Sequence, residues 1–220
     1  MLRGNARDIE VCLNHKRICA LLGYVMLSCC TAVAETPGRL HSDGPLKREH
    51  FKADIPSGRD DLDAVVYTRL RYGYKFRTDV VDDGFELTCT TIVCCSEQLP
   101  DRSWIRDSAK AELLDHEQGH LDLAEVVARK AEARLRYLVR KSKIKSRSTT
   151  VEAAEKALIR TIRAQLMPFD RELANVNDEY DRVTSHGRDE DAQKTERRKQ
   201  RKLMRDLSKR TMPSLSLGGK

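Results

Sequence analysis

"DHEQGHLDLAE", residues 115–125, is the stretch on which the reading of this chain turns. His116 and His120 stand four apart, and Glu117 follows the first directly. On an ideal helix four residues turn by about 400°, so the two imidazoles lie about 40° apart on one face and reach a single tetrahedral ion. Glu117 is offset by about 100°, beside such an ion but outside its ligand set, where a carboxylate can take a proton from water. The pattern predicts a Zn2+ site with His116 and His120 as metal ligands and Glu117 as the catalytic general base.

The flanks fit that reading. From Ile105 to about Lys141 there is no proline, and Gly119 is the only glycine. Leu113, His116, His120, Ala124, Val127, Ala131, Leu135 and Leu138 step by three or four, which predicts one long amphipathic helix with both histidines on its inward stripe. Buried imidazoles need partners, and a metal supplies one for each. A catalytic zinc wants a third protein ligand and an open fourth position. His186, in "EYDRVTSHGR" between a helix and Gly187, is the preferred third ligand. Glu125 and Asp122 are the alternatives, although Glu125 lies about 180° around the helix from His116. Tyr180, earlier in the same segment, is a candidate catalytic donor to the oxyanion of a tetrahedral intermediate.

Upstream, "DAVVYTRLRYGYKF" predicts two short strands about a Tyr-Gly turn. "FELTCTTIVCC" alternates, with Phe85, Leu87, Cys89, Thr91, Val93 and Cys95 on one face and Glu86, Thr88, Thr90, Ile92 and Cys94 on the other. Downstream, "KSKIKSRSTT" breaks the helix. A second helix is expected from Val151 to Leu166 before Pro168, a third from Phe169 to Thr184, and a basic helix from Ala192 to Arg210. The fold class is α+β: a small N-terminal antiparallel sheet, then a mainly helical region with the metal motif on a long helix.

Residues 1–34 read as a signal peptide. Lys16 and Arg17 precede the apolar "ICALLGYVMLSCC", and Ala32-Val33-Ala34 offers small residues for cleavage. The expected location is periplasmic or secreted, with lipid anchoring through Cys29 as the alternative and no transmembrane span in the mature chain. Beyond residue 34 three cysteines remain, Cys89, Cys94 and Cys95. An odd number in an exported chain implies one disulfide and a spare thiol, or an intermolecular bridge. With 5% aromatic and 34% charged residues the core is modest and aliphatic. The formal charge of +7 favours an anionic envelope surface as a partner of the basic tail. Nucleic acid is disfavoured, because few aromatics are present to stack on bases.

"LLDHEQGHLDLAE", a preceding strand with "LPDRSW", and the later "YDRVTSHG" together resemble a bacterial family of exported proteins. That family is classed as a domain of unknown function and described as predicted secreted zinc-dependent proteases. The resemblance runs over roughly residues 60–195. It implies a zincin-like fold, a protein or peptide substrate, motif roles for His116, Glu117 and His120, and a functional position at His186. The resulting plan is a signal peptide (1–34), a flexible leader (35–60), a zincin-like metallopeptidase domain (61–190) and a basic helical tail (191–220). A non-catalytic zinc-stabilised envelope protein, binding an anionic or protein partner, is the competing expectation.

Overall fold

The computed structural model describes residues 9–11, 38–59 and 61–211. Its strands are β1 (Ile9–Val11), β2 (Arg39–Leu40), β3 (Ala64–Val65), β4 (Thr68–Val81), β5 (Gly84–Gln98), β6 (Trp104–Ile105) and β7 (Lys145–Ser148). Its helices are α1 (Ala111–Arg140), α2 (Val151–Thr184) and α3 (Glu190–Thr211). Apart from Ile9–Val11, the expected signal peptide lies outside the described residues.

The sheet is organised by one long hairpin. Asp82 and Asp83 form its two-residue loop, and Val81 pairs with Gly84 beyond them. Gly84 has φ +144, and a Cβ there would lie 2.3 Å from the Ser148 carbonyl oxygen, so the turn requires glycine. The Tyr-Gly turn expected at Tyr72-Gly73 does not form; Gly73 sits inside β4, paired with Val93. Tyr72, Tyr74 and Phe76 explain why. They fall on one face at a period of two and stack along it, with ring centroids 6.4 and 6.2 Å apart. A turn at Gly73 would split that row.

β5 does not keep the strict alternation of its sequence. Lys75 and Phe76 face Thr91 and Cys89, which leaves Thr90 as an extra residue in a β-bulge. Leu87 and Cys89 point into the core before the bulge, and Ile92 and Cys94 after it. Cys89 therefore shares its side with Cys94, not with Cys95. All three cysteines are free thiols, so the expected disulfide is not present among them.

α1 and α2 cover this face. Tyr74, Phe76, Leu87 and Ile92 of the sheet meet Ala128, Ala131 and Leu135 of α1 and Ala154, Leu158 and Ile162 of α2. The alanines let α1 lie close to the strands. Leu135 and Leu158 are fully buried, and truncating either to alanine would cost about 2–5 kcal/mol.

Three further elements depart from expectation. β7 pairs with Phe85–Thr88 although its side chains are polar, and it is anchored by buried Ile144 just before it. The sheet therefore gains a strand after α1. α2 continues through Pro168 as one helix of 34 residues. Pro168 and Ala164, whose carbonyl loses its amide partner, are both exposed, so water can satisfy the break. The leader, finally, is packed. Leu46 is buried and its amide donates to Gln118 Oε1 at 2.7 Å, while Gln98 Nε2 donates to the His50 carbonyl at 2.7 Å.

α3 is likewise part of the body. Gln193, Arg197 and Gln200 recur at helical spacing and are buried against α1. Arg197 donates to Asp115 and to Asp122, and Gln193 Nε2 donates to the Glu112 carbonyl at 3.1 Å. These polar partners explain how so basic a segment docks without an apolar stripe. No helix among the described residues is long and apolar enough to cross a membrane.

Candidate metal centre

The middle of α1 is enclosed by β3, α2 and α3, so His116, Glu117 and His120 are all buried. α2 crosses this turn with Asn177, Tyr180, Asp181 and Thr184 facing it. Those positions are i, i+3, i+4 and i+7, one stripe of a helix. Each serves a histidine. His120 Nδ1 is 3.0 Å from Asn177 Oδ1, and an amide oxygen only accepts, so Nδ1 carries the proton. Thr184 Oγ1 donates to the Tyr180 carbonyl at 2.7 Å and so accepts from His116 Nδ1 at 3.4 Å. Both Nε2 atoms are left with lone pairs turned inward. They are 3.3 Å apart, and each is 3.0 Å from Asp181 Oδ1.

Three lone pairs at such distances repel one another unless a metal ion, or a proton carried by His120, sits among them. The edge of a tetrahedral site with bonds of about 2.0–2.1 Å is about 3.3 Å, which the two nitrogens match. His116, His120 and Asp181 therefore form a group able to hold a metal ion, and their donor atoms all lie within 4.8 Å of one another. The electrostatics agree for two of the three. Burial opposes the charged form of Asp181, but facing two imidazoles outweighs it and holds the carboxyl well below its usual range. Burial pulls His116 below its ordinary value and favours the neutral ring that binds metals. At His120 burial acts in the same direction, yet Asp181 and Glu117 outweigh it and raise the pKa.

Asp181 completes that group of three, and His186, the expected third ligand, lines the same cavity. α2 reaches the site while still helical, so an inward-facing residue of its last turns arrives first. His186 lies beyond the helix end, half exposed, with Nδ1 3.5 Å from Asp181 Oδ1. Ser185, His186 and Gly187 all have positive φ, at 49°, 54° and 78°. This turn folds the chain back over His116. A Cβ on Gly187 would lie 2.9 Å from His116 Cγ, so glycine is required there. Glu125 and Asp122 are engaged away from the two histidines. Glu125 accepts from Ser96 and Arg129, toward the sheet, and Asp122 from His41, Gln118 and Arg197, toward α3.

Tyr180, the expected oxyanion donor, packs beneath the histidines. Its ring stacks on His116 at 4.8 Å and 11°, and its hydroxyl is buried over Gly119. It is absent from the residues that line the cavity above the histidines. Tyr180 is packing that fixes the plane of the His116 ring.

That cavity has a volume of about 680 Å³ and is bordered by β3, the start of α1 and the turn after α2. Glu117 lines it beside the three donors. Its Oε2 accepts from the Val66 amide at 2.8 Å, and burial pushes the carboxyl up to about 7. The Asp63 carbonyl accepts from Arg106 on the opposite side of the strand, at 2.8 Å. Backbone groups alternate along a strand, so the amide and carbonyl of Ala64 turn toward α1 and the cavity with the Val66 amide.

The assembly is of the two-histidine, one-carboxylate kind, with a glutamate next to the first histidine. No protein-family model matches the chain, and no curated protein and no solved structure matches it.

Proposed function

We propose that this chain is an exported zinc-dependent metallopeptidase of the His-Glu-x-x-His type, with a zincin-like site. The observation that carries the reading is the convergence of His116 Nε2, His120 Nε2 and Asp181 Oδ1 beside the buried carboxylate of Glu117, in one cavity. A structural zinc is closed by four protein ligands, whereas three donors facing a cavity leave a position for water or substrate. Zinc held there would supply Lewis-acid polarisation of a peptide carbonyl and a more acidic water. Glu117 accepts the proton of the attacking water and delivers it to the leaving amine. Asn177 and Thr184 hold the imidazoles in the tautomer that presents Nε2. Among the described residues β3 pairs with β6 alone, and its other edge at Ala64 offers a donor and an acceptor to an extended peptide, which favours a protein or peptide substrate. The signal-peptide pattern of residues 1–34 is in keeping with export.

Glu117→Gln tests the reading. It preserves size but cannot take up a proton. Zinc content and thermal stability should stay near wild type, while hydrolysis of a peptide library or an unfolded protein falls at least about a hundredfold, since general-base catalysis supplies about 10²–10⁴. A zinc-loaded wild type inert toward every such substrate would replace catalysis with the structural-zinc reading.

A further inference from the structure

α3 divides its basic residues between two faces. Arg197 is buried in its ion pairs with Asp115 and Asp122. Lys194 pairs with Glu190 and Asp191, and Lys199 with Glu196. Arg198, Arg201, Lys202 and Arg205 are exposed. Those four are i, i+3, i+4 and i+7, so they form one row about 10 Å long on a single helical face. The row lies away from the Gln193, Arg197 and Gln200 face by which α3 is held on α1. Docking therefore fixes the row in place and aims it outward.

We propose that this face of α3 is a docking surface for an anionic phospholipid bilayer. The outer side of a docked helix is convex, and a convex row of cations meets a plane of phosphates along its whole length. Single-stranded nucleic acid is instead bound in grooves with aromatic stacking platforms, and α3 contains no aromatic residue. A polybasic patch is one of the signals that attach a protein peripherally to an anionic bilayer. This surface is independent of the metal centre.

The full chain is assayed by co-sedimentation with vesicles of phosphatidylcholine alone and of phosphatidylcholine with phosphatidylglycerol. The neutral vesicles report binding that does not depend on charge. Each cation near an anionic surface strengthens binding about fivefold. Replacing Arg198, Arg201, Lys202 and Arg205 by Gln should therefore weaken binding to anionic vesicles by about 600-fold and leave neutral vesicles unaffected. A charge-matched control replaces Lys141, just beyond α1, and Lys156, Arg160 and Arg171 on α2, all exposed, and should retain most of the binding. Circular dichroism confirms that each variant is folded. Equal loss in the control would assign the attraction to net charge alone and overturn the proposal. So would a wild type without preference for anionic vesicles, or one that binds duplex DNA more tightly than the vesicles.

Discussion

Replacing Gly119 by alanine, the best helix former, in the middle of α1 should destabilise the protein. On an exposed helix the change would gain about 1 kcal/mol. Here the new Cβ would lie 2.3 Å from Tyr180 Oη, 2.6 Å from Cζ and 2.7 Å from Cε1. All three distances are well inside ordinary contact, and they involve one rigid ring. The ring has no room to retreat, because it stacks on His116 at 4.8 Å and meets the His120 ring edge-on at 5.1 Å. Overpacking of this kind costs about 1–3 kcal/mol and more when the neighbour is rigid. After the helical gain is subtracted, a net loss of up to about 2 kcal/mol is expected. For a chain of this length that lowers Tm by up to about 8 °C. Urea unfolding in chelator isolates the packing term from any metal. The same substitution in a Tyr180→Leu background should become neutral or stabilising. A Gly119→Ala midpoint above that of wild type would refute the reasoning, since it would show that helix propensity alone governs the position.

Other outcomes follow from the same geometry. Asp181→Ala should weaken zinc binding more than a hundredfold in a competition titration, whereas His186→Ala should change it less than tenfold; the reverse order would restore His186 as the third donor. Asn177→Ala should weaken zinc by about 10–100-fold, because groups that orient a ligand contribute on that scale. Arg197→Met leaves Asp122 buried with only His41 and Gln118 as partners, and chemical denaturation should show a loss of about 3–5 kcal/mol. Burial pushes all three thiols up, Cys89 to about 11 and Cys94 to about 12, so exposure ranks them, and peptide mapping after iodoacetamide at pH 8 should find Cys95, the most accessible, modified first.

The sequence carried the site's centre well and its periphery less well. His116 and His120 were legible because helical spacing alone fixes their relation. The stripe from Leu113 to Leu138 was legible for the same reason. Asp181 was visible in the sequence but unassigned. Its signal was the recurrence of polar Asn177, Asp181 and Thr184 on one stripe of α2, since polar groups facing inward demand partners. His186 drew attention through residue type, whereas the rank of donors depends on which turn of α2 first meets α1, a tertiary matter. The bulge at Thr90 and the strand at β7 were hidden because both depend on pairing with distant strands. The docked α3 was hidden because its contacts are charged and amide groups, which composition reads as solvated.

Asp181 and His116 are 65 residues apart in the chain, and the contact between them joins α2 to α1. An ion bound to both would close a loop of that length in any state that keeps the metal. By the chain-entropy relation used for covalent cross-links, such a closure removes freedom from the unfolded ensemble worth about 4 kcal/mol. The ion would then govern the lifetime of the fold as well as its reactivity. A chelator would remove that contribution and make the fold easier for proteases to open.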